Sequence, residues 1–204
     1  MISAVGKWFA MVASINVSFI LIPMDPRATL QQFDSFLAAR GLLFDAVVVG
    51  GTALNLLGII SRPTRDCDVI HPAIPAPVLN AAQQFAAARR ANGEELDDNW
   101  LNNGPSDLTR VLGAGWEART VVAFVGSAMV LRVLERGDLL KTKLFALCDR
   151  ATDLQDCVAL KPTAEELADA LLWVQAQDTN DEWPTHVRAT FASLSRKVGH
   201  VRTQ

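Results

Sequence analysis

Apolar positions along the chain fall into two periods. From Ala28 to Arg40, Leu30, Phe33, Phe36 and Leu37 recur at helical spacing, with Asp25 as N-cap, Pro26 at the first helical position and Gly41 as a stop. Val47, Val48 and Val49 then form a β-branched strand that ends at Gly50-Gly51, a pair suited to a sharp turn. Thr52 is expected to cap a short helix carrying Ala53, Leu54, Leu56 and Leu57. Arg65 to Ile70 reads as a second strand, whose period of two puts Asp66 and Asp68 on one face and Cys67 and Val69 on the other.

Pro72, Pro75 and Pro77 break that strand, and an alanine-rich helix is expected from about Ala76 to Arg90. Its terminal Arg89-Arg90 pair reads as a solvated helix end. Asn92 to Pro105 is a polar loop in which Trp100 is the aromatic anchor, expected to pack rather than to stack on a base. Strands are expected over Ala118 to Val125 and Ala128 to Leu134, joined at Gly126-Ser127 as a hairpin. The rest is helical: Asp138 to Arg150, a helix opened by a capping box at Thr152-Asp153-Leu154-Gln155, Thr163 to about Ala176, and Pro184 to Val198. Trp173, Trp183 and Phe191 are the residues expected to bury these helices.

This order gives an α/β (α+β) chain: a small mixed sheet with flanking helices over residues 24–136, and a helical C-terminal part, 137–204, packed on it. Residues 1–23 stand apart as an apolar extension. The run from Trp8 to Met24 is 17 residues long and interrupted by Ser14, Asn16 and Ser18, too short and polar for a span. A translation start placed too early is the favoured reading, and an added buried strand the alternative.

At 204 residues, half of them hydrophobic, the chain can bury a proper core. Its net charge of -3 excludes a global positive field for a long nucleic acid. Cys67, Cys148 and Cys157 are odd in number and lack C-x-x-C spacing, so they read as reduced thiols of a cytoplasmic protein. His71, His186 and His200 fit no metal or triad spacing, and Gly50-Gly51-Thr52-Ala53 lacks the ending of a P-loop.

The chemistry concentrates between Val47 and Ile70. A glycine turn leading into a helix presents free N–H groups to an anion. Beside it, Asp66 and Asp68, roughly 7 Å apart along a strand, are unfavourable as a bare pair of like charges and suit a shared cation. Mg²⁺ takes one or two carboxylates and completes its shell with water and phosphate oxygens. Together these features point to a magnesium-bound nucleotide.

Gly50-Gly51-Thr52 followed by Asp66-Cys67-Asp68 resembles the signature of the minimal nucleotidyltransferases related to polymerase β, with their nucleotidyltransferase-like mixed sheet. Arg62-Pro63-Thr64-Arg65-Asp66-Cys67-Asp68 is similar to the Arg-x-Thr-x-Asp-x-Asp segment of the AbiEii-type toxin and abortive-infection proteins in that superfamily. The resemblance implies an NTP substrate, Mg²⁺ on Asp66 and Asp68, and Gly50, Gly51, Thr52, Arg65 and Arg150 at the nucleotide. Lys143 is implied at the phosphates, and Asp153 and Asp156 match a later Asp-x-x-Asp. It further implies transfer to an RNA, such as a tRNA end, or to a protein hydroxyl, and an antitoxin partner. The chain departs from the pattern in one respect: neither later strand contains an acidic residue, and Glu117 and Glu135 only flank them. Two-metal catalysis is therefore in doubt, and a catalytically inactive nucleotide sensor or partner-binding module is the competing expectation.

Overall fold

The computed structural model describes residues 25–199. The apolar extension 1–23, Met24 and His200 lie outside the described residues. Helix α1, Pro26–Ala38, starts as its sequence indicates: the Asp25 carboxylate accepts the N–H groups of Arg27 and Ala28, and Pro26 occupies the first turn. Leu30, Phe33 and Leu37 form its buried stripe.

Strand β1, Phe44–Val49, runs directly into α2, Gly50–Leu56. Here the expected cap is corrected. Val49 holds the N-cap position without a side-chain bond, and Thr52 lies inside the helix, because Gly50 adopts a φ of +71° and the helix starts there rather than after Thr52. Strand β2 is Cys67–His71, so Asp66 lies just before it rather than within it. Helix α3, Ala76–Ala91, ends with Arg89 and Arg90 paired to Glu94 and Asp98. Trp100 is fully buried, edge-on to Phe33 at 5.1 Å, with its indole N–H donated to the Ala82 carbonyl; this packing removes it from base stacking.

A two-residue strand, β3 (Leu101–Asn102), was not expected from the polar loop that contains it. The expected strand from Ala118 is shorter, because Glu117–Arg119 is a 3₁₀ turn; β4 is Val121–Val125 and β5 is Met129–Val133. The two form the expected antiparallel hairpin. Buried Asp34 on α1 fixes its turn by accepting the N–H groups of Ser127 and Ala128, each at 2.9 Å.

The sheet order is β3-β2-β1-β5-β4, with β1 antiparallel to β2 and parallel to β5, and β2 parallel to β3. Because β1 and β5 are parallel, their C-terminal ends reach the same edge of the sheet, and there each feeds a helix. The helix after β5 is α4, Arg136–Arg150, capped by the Glu135 carboxylate on the N–H groups of Gly137 and Asp138. Then come α5 (Leu154–Ala159), α6 (Ala164–Gln175) and α7 (Trp183–Lys197), which pack with α4. The capping box expected at Thr152 does not form: Asp153 takes the N-cap position, the Thr152 hydroxyl donates to the Asp153 carboxylate, and that carboxylate accepts from Lys143 rather than capping the helix. One forms at Thr163 and Glu166, at the head of α6. Trp183 and Phe191 are buried, and Trp173 is partly so.

Candidate functional site

Crevices beyond the carboxyl ends of strands are the usual ligand sites of open α/β sheets. Here a cavity of about 900 Å³ lies at the edge where β1 ends and β2 begins, closed on its far side by α4 and the start of α5. Gly50, Gly51, Arg65, Asp66, Asp68, Lys143, Arg150, Asp153 and Asp156 all line it, although they are spread over about half the chain. Thr52 does not line it.

The two glycines are required by what lies against them. A Cβ on Gly50 would lie 2.7 Å from Asp68 Oδ2, and one on Gly51 would lie 2.6 Å from the Thr64 methyl group. Only a bare backbone lets the helix start approach the carboxylate and the 62–66 segment so closely. Register adds to this, for Asp68 pairs with Val49 of β1 on one side and with Asn102 of β3 on the other.

Asp68 is half-buried, and burial followed by the charge of Asp66 pushes its carboxyl above the ordinary aspartate value of 3.8. The Asn102 amide, donating to Oδ1 at 3.2 Å, and the more distant charges of Lys143 and Arg150 oppose that rise without cancelling it. A carboxylate so placed gains from a bound cation. Asp66 is exposed beside it. Among the described residues no group of three His, Cys, Asp or Glu side chains is arranged to hold a metal. Two carboxylate oxygens, with the remaining positions left to water and phosphate, fit Mg²⁺ rather than an ion needing a protein cage. Glu135 is committed to capping α4, and Glu117 lies in another cleft with Asp45, His71 and Arg132. Neither supplies a third ligand.

Thr52 is buried, and its hydroxyl donates to the Asp66 main-chain carbonyl at 2.7 Å. Thr64 Oγ1 lies 3.3 Å from both that carbonyl and Thr52 Oγ1. The threonine thus anchors the backbone that carries the first aspartate.

Lys143 is 6% exposed and donates to Asp153 at 2.8 Å and to Asp156 at 2.7 Å. Burial lowers its affinity for a proton, but the two carboxylates outweigh that and hold its pKa above 10.5. Burial likewise raises Asp153, and Lys143 with Arg150 outweighs it, leaving that carboxyl below 3.8. Asp156, 1% exposed, also receives Arg62 at 2.6 Å, so one carboxylate ties the segment before β2 to α4 and α5. Arg150 reaches Asp153 at 3.4 Å and is 62% exposed, and Arg65 is exposed as well. Lys143 is therefore shared between acids, while the arginines face the opening.

Sequence reasoning missed two participants. Arg62 stands in the quoted motif, but its partner lies 94 residues away. Asn102 sits in a strand too short to show a period. The three cysteines are free and buried; burial pushes Cys148 up to about 11 and Cys157 up to about 12, which leaves them inert. His71 does not line the cavity and lies edge-on to Trp116 at 6.0 Å.

A mixed sheet whose glycine turn meets an Asp-x-Asp segment at its edge defines the nucleotidyltransferase class. Residues 28–169, more than half of the chain, match the family described as "Nucleotidyltransferase of unknown function (DUF6036)", and the chain belongs to that family. No curated protein and no solved structure matches the chain. Among the described residues no helix is long and apolar enough to cross a membrane.

Proposed function

We propose that the protein is a magnesium-dependent enzyme that moves a nucleotide from an NTP to a hydroxyl group of RNA, such as a tRNA end, or of a protein. The observation that carries this reading is the meeting of Gly50, Asp66 and Asp68 with four cations, Arg62, Arg65, Lys143 and Arg150, in one cavity. Anionic phosphates and a divalent cation are the ligands that use both signs of charge at once.

Asp66 and Asp68 hold Mg²⁺, which when bound neutralises charge on the triphosphate and on the leaving group. Backbone N–H groups at Gly50 and Gly51 orient the phosphates. Arg65 and Arg150 reach the triphosphate from the open side. Lys143, held between Asp153 and Asp156, adds positive potential from behind. The acceptor oxygen forms a bond to the α-phosphorus as the bond from that phosphorus to the bridging oxygen breaks. Pyrophosphate leaves with the electron pair, and the hydroxyl proton passes to water. The likeness of residues 62–68 to AbiEii-type proteins supports a toxin restrained by an antitoxin.

The second reading is a nucleotide sensor, or a partner-binding module, on the same fold. It is favoured by the lack of an acidic residue on β4 and β5, whose flanking Glu135 and Glu117 are both occupied elsewhere. Incubating the full chain with α-³²P NTPs, Mg²⁺ and extract containing tRNA and protein separates the two. Labelled acceptor in the wild type, lost in Asp66→Asn with Asp68→Asn, is the enzyme result. Magnesium-dependent NTP binding without any label is the sensor result, and no such binding would remove both.

A further inference from the structure

The walls of the cavity divide by chemistry. Its acids, glycines and cations come mainly from the β1–α2 turn, the segment 62–68, α4 and the start of α5, with Gly104 and the Arg110-paired Asp107 as the exceptions. A different corner is lined by Leu108 and Val111 at the 3₁₀ turn Ser106–Arg110, by Phe145 on α4, and by Gln177 just past α6.

Trp173 gathers three of these four. Its indole N–H donates to the Val111 carbonyl at 3.1 Å, its ring meets that of Phe145 edge-on at 6.4 Å, and its carbonyl accepts Gln177 Nε2 at 2.6 Å. The corner thus offers three apolar side chains and one amide, with Asp107 beside Leu108 paired to Arg110, and its wall is fastened to α6. Phosphate or metal binding has no use for such a surface. Val111 nevertheless leaves 39% of its area in solvent.

We propose that Leu108, Val111 and Phe145 form the nucleobase subsite, with the Gln177 amide at the edge of the base. The inference rests on reading the cavity as a nucleotide site. The base is the part of an NTP that gains from contact with apolar and aromatic side chains. Lys143 and Phe145 both line the cavity from α4 but leave that helix on different sides, so α4 carries both the charged and the apolar part of the wall. A single amide gives modest discrimination between bases, because apolar contact is blind to their hydrogen-bonding edges.

The test uses the full chain in Mg²⁺ and titration calorimetry with ATP, GTP, CTP and UTP, against inorganic tripolyphosphate. The variant is Leu108→Ser with Val111→Ser; Val111 is exposed and Leu108 half-buried against the core, so retained tripolyphosphate binding shows that the variant is folded. Wild type is expected to bind its best NTP more tightly than tripolyphosphate. The variant is expected to lose at least roughly tenfold for that NTP while holding tripolyphosphate as before. Unchanged NTP affinity in the variant, with tripolyphosphate still bound, overturns the subsite and leaves the phosphate site standing. A wild type that binds neither removes the nucleotide reading, and the subsite with it.

Discussion

Gly50 and Asp68 fit each other so closely that a Cβ on Gly50 would stand 2.7 Å from Asp68 Oδ2, at a φ of +71° that L side chains rarely adopt. Gly50→Ala should therefore do two things. The left-handed backbone costs about 1–2 kcal/mol, a Tm fall of roughly 2–8 °C. In addition the carboxylate proposed to hold the metal is displaced. Gly58 is the control, with a φ of +69° and nothing within 4 Å. Gly58→Ala should show a similar Tm fall and keep magnesium-dependent NTP affinity, whereas Gly50→Ala loses it. Equal NTP affinity in the two variants would show that the close approach has no part in binding.

Asp68 gives a pH dependence with a definite sign. Its folded-state pKa lies above 3.8, so the folded protein holds that proton more tightly than the unfolded chain. The contribution of Asp68 to stability therefore falls as pH rises from 3.8 through the raised value, and stays at its lowest above it. Asp68→Asn removes the term. Without ligand it should be as stable as wild type or more so at neutral pH, with the difference shrinking in acid. Denaturant melts at both pH values measure this. Mg²⁺ affinity of the wild type should rise across the same window, as the metal displaces the proton. A variant clearly less stable at neutral pH would mean that the Asn102 contact outweighs burial and Asp66.

The core elements were legible in the sequence because each repeats a period over several residues. Leu30, Phe33 and Leu37 announce α1, and the valines of β1 stop at a glycine pair. The acids of the site were legible too, as a short motif, but not their environment. Thr52 looks like a cap by type and position, yet the φ of Gly50 moves the helix start and turns the hydroxyl to Asp66. Thr152 looks like the head of a capping box, but the helix starts one residue later, at an Asp153 whose carboxylate tertiary structure brings to Lys143. Pairings across long separations, such as Arg62 with Asp156, leave no local trace.

Thr52→Val tests the anchoring of Asp66 at nearly constant volume. It leaves the Asp66 carbonyl short of its best donor, at a cost of about 1–3 kcal/mol, and should weaken the dependence of NTP binding on Mg²⁺. Thr52→Ser restores the hydroxyl and should recover the magnesium dependence even if some packing is lost. Should Thr52→Val melt lower while its magnesium titration matches wild type, the hydroxyl serves folding alone.

Lys143 differs from Lys141 in what depends on it. Lys143→Met leaves Asp153 and buried Asp156 facing each other with only the arginines to offset them, and breaking a buried pair from one side costs about 3–5 kcal/mol. Lys141 makes none of the ion pairs of this network, so Lys141→Ala should fall within about 0.5 kcal/mol of wild type. The pH limits follow from the shifts. Stabilisation from Lys143 is complete below 10.5 and is lost as pH rises through its raised value. That from Asp153 is in place above 3.8 and is lost as pH falls through its lowered value. Between those limits the deficit of Lys143→Met should be nearly constant, and it should narrow at either extreme. Denaturant titrations of the two lysine variants across pH measure it. Equal stabilities at neutral pH would show that α5 is held to α4 by its apolar contacts and that the ion pairs are incidental to the fold.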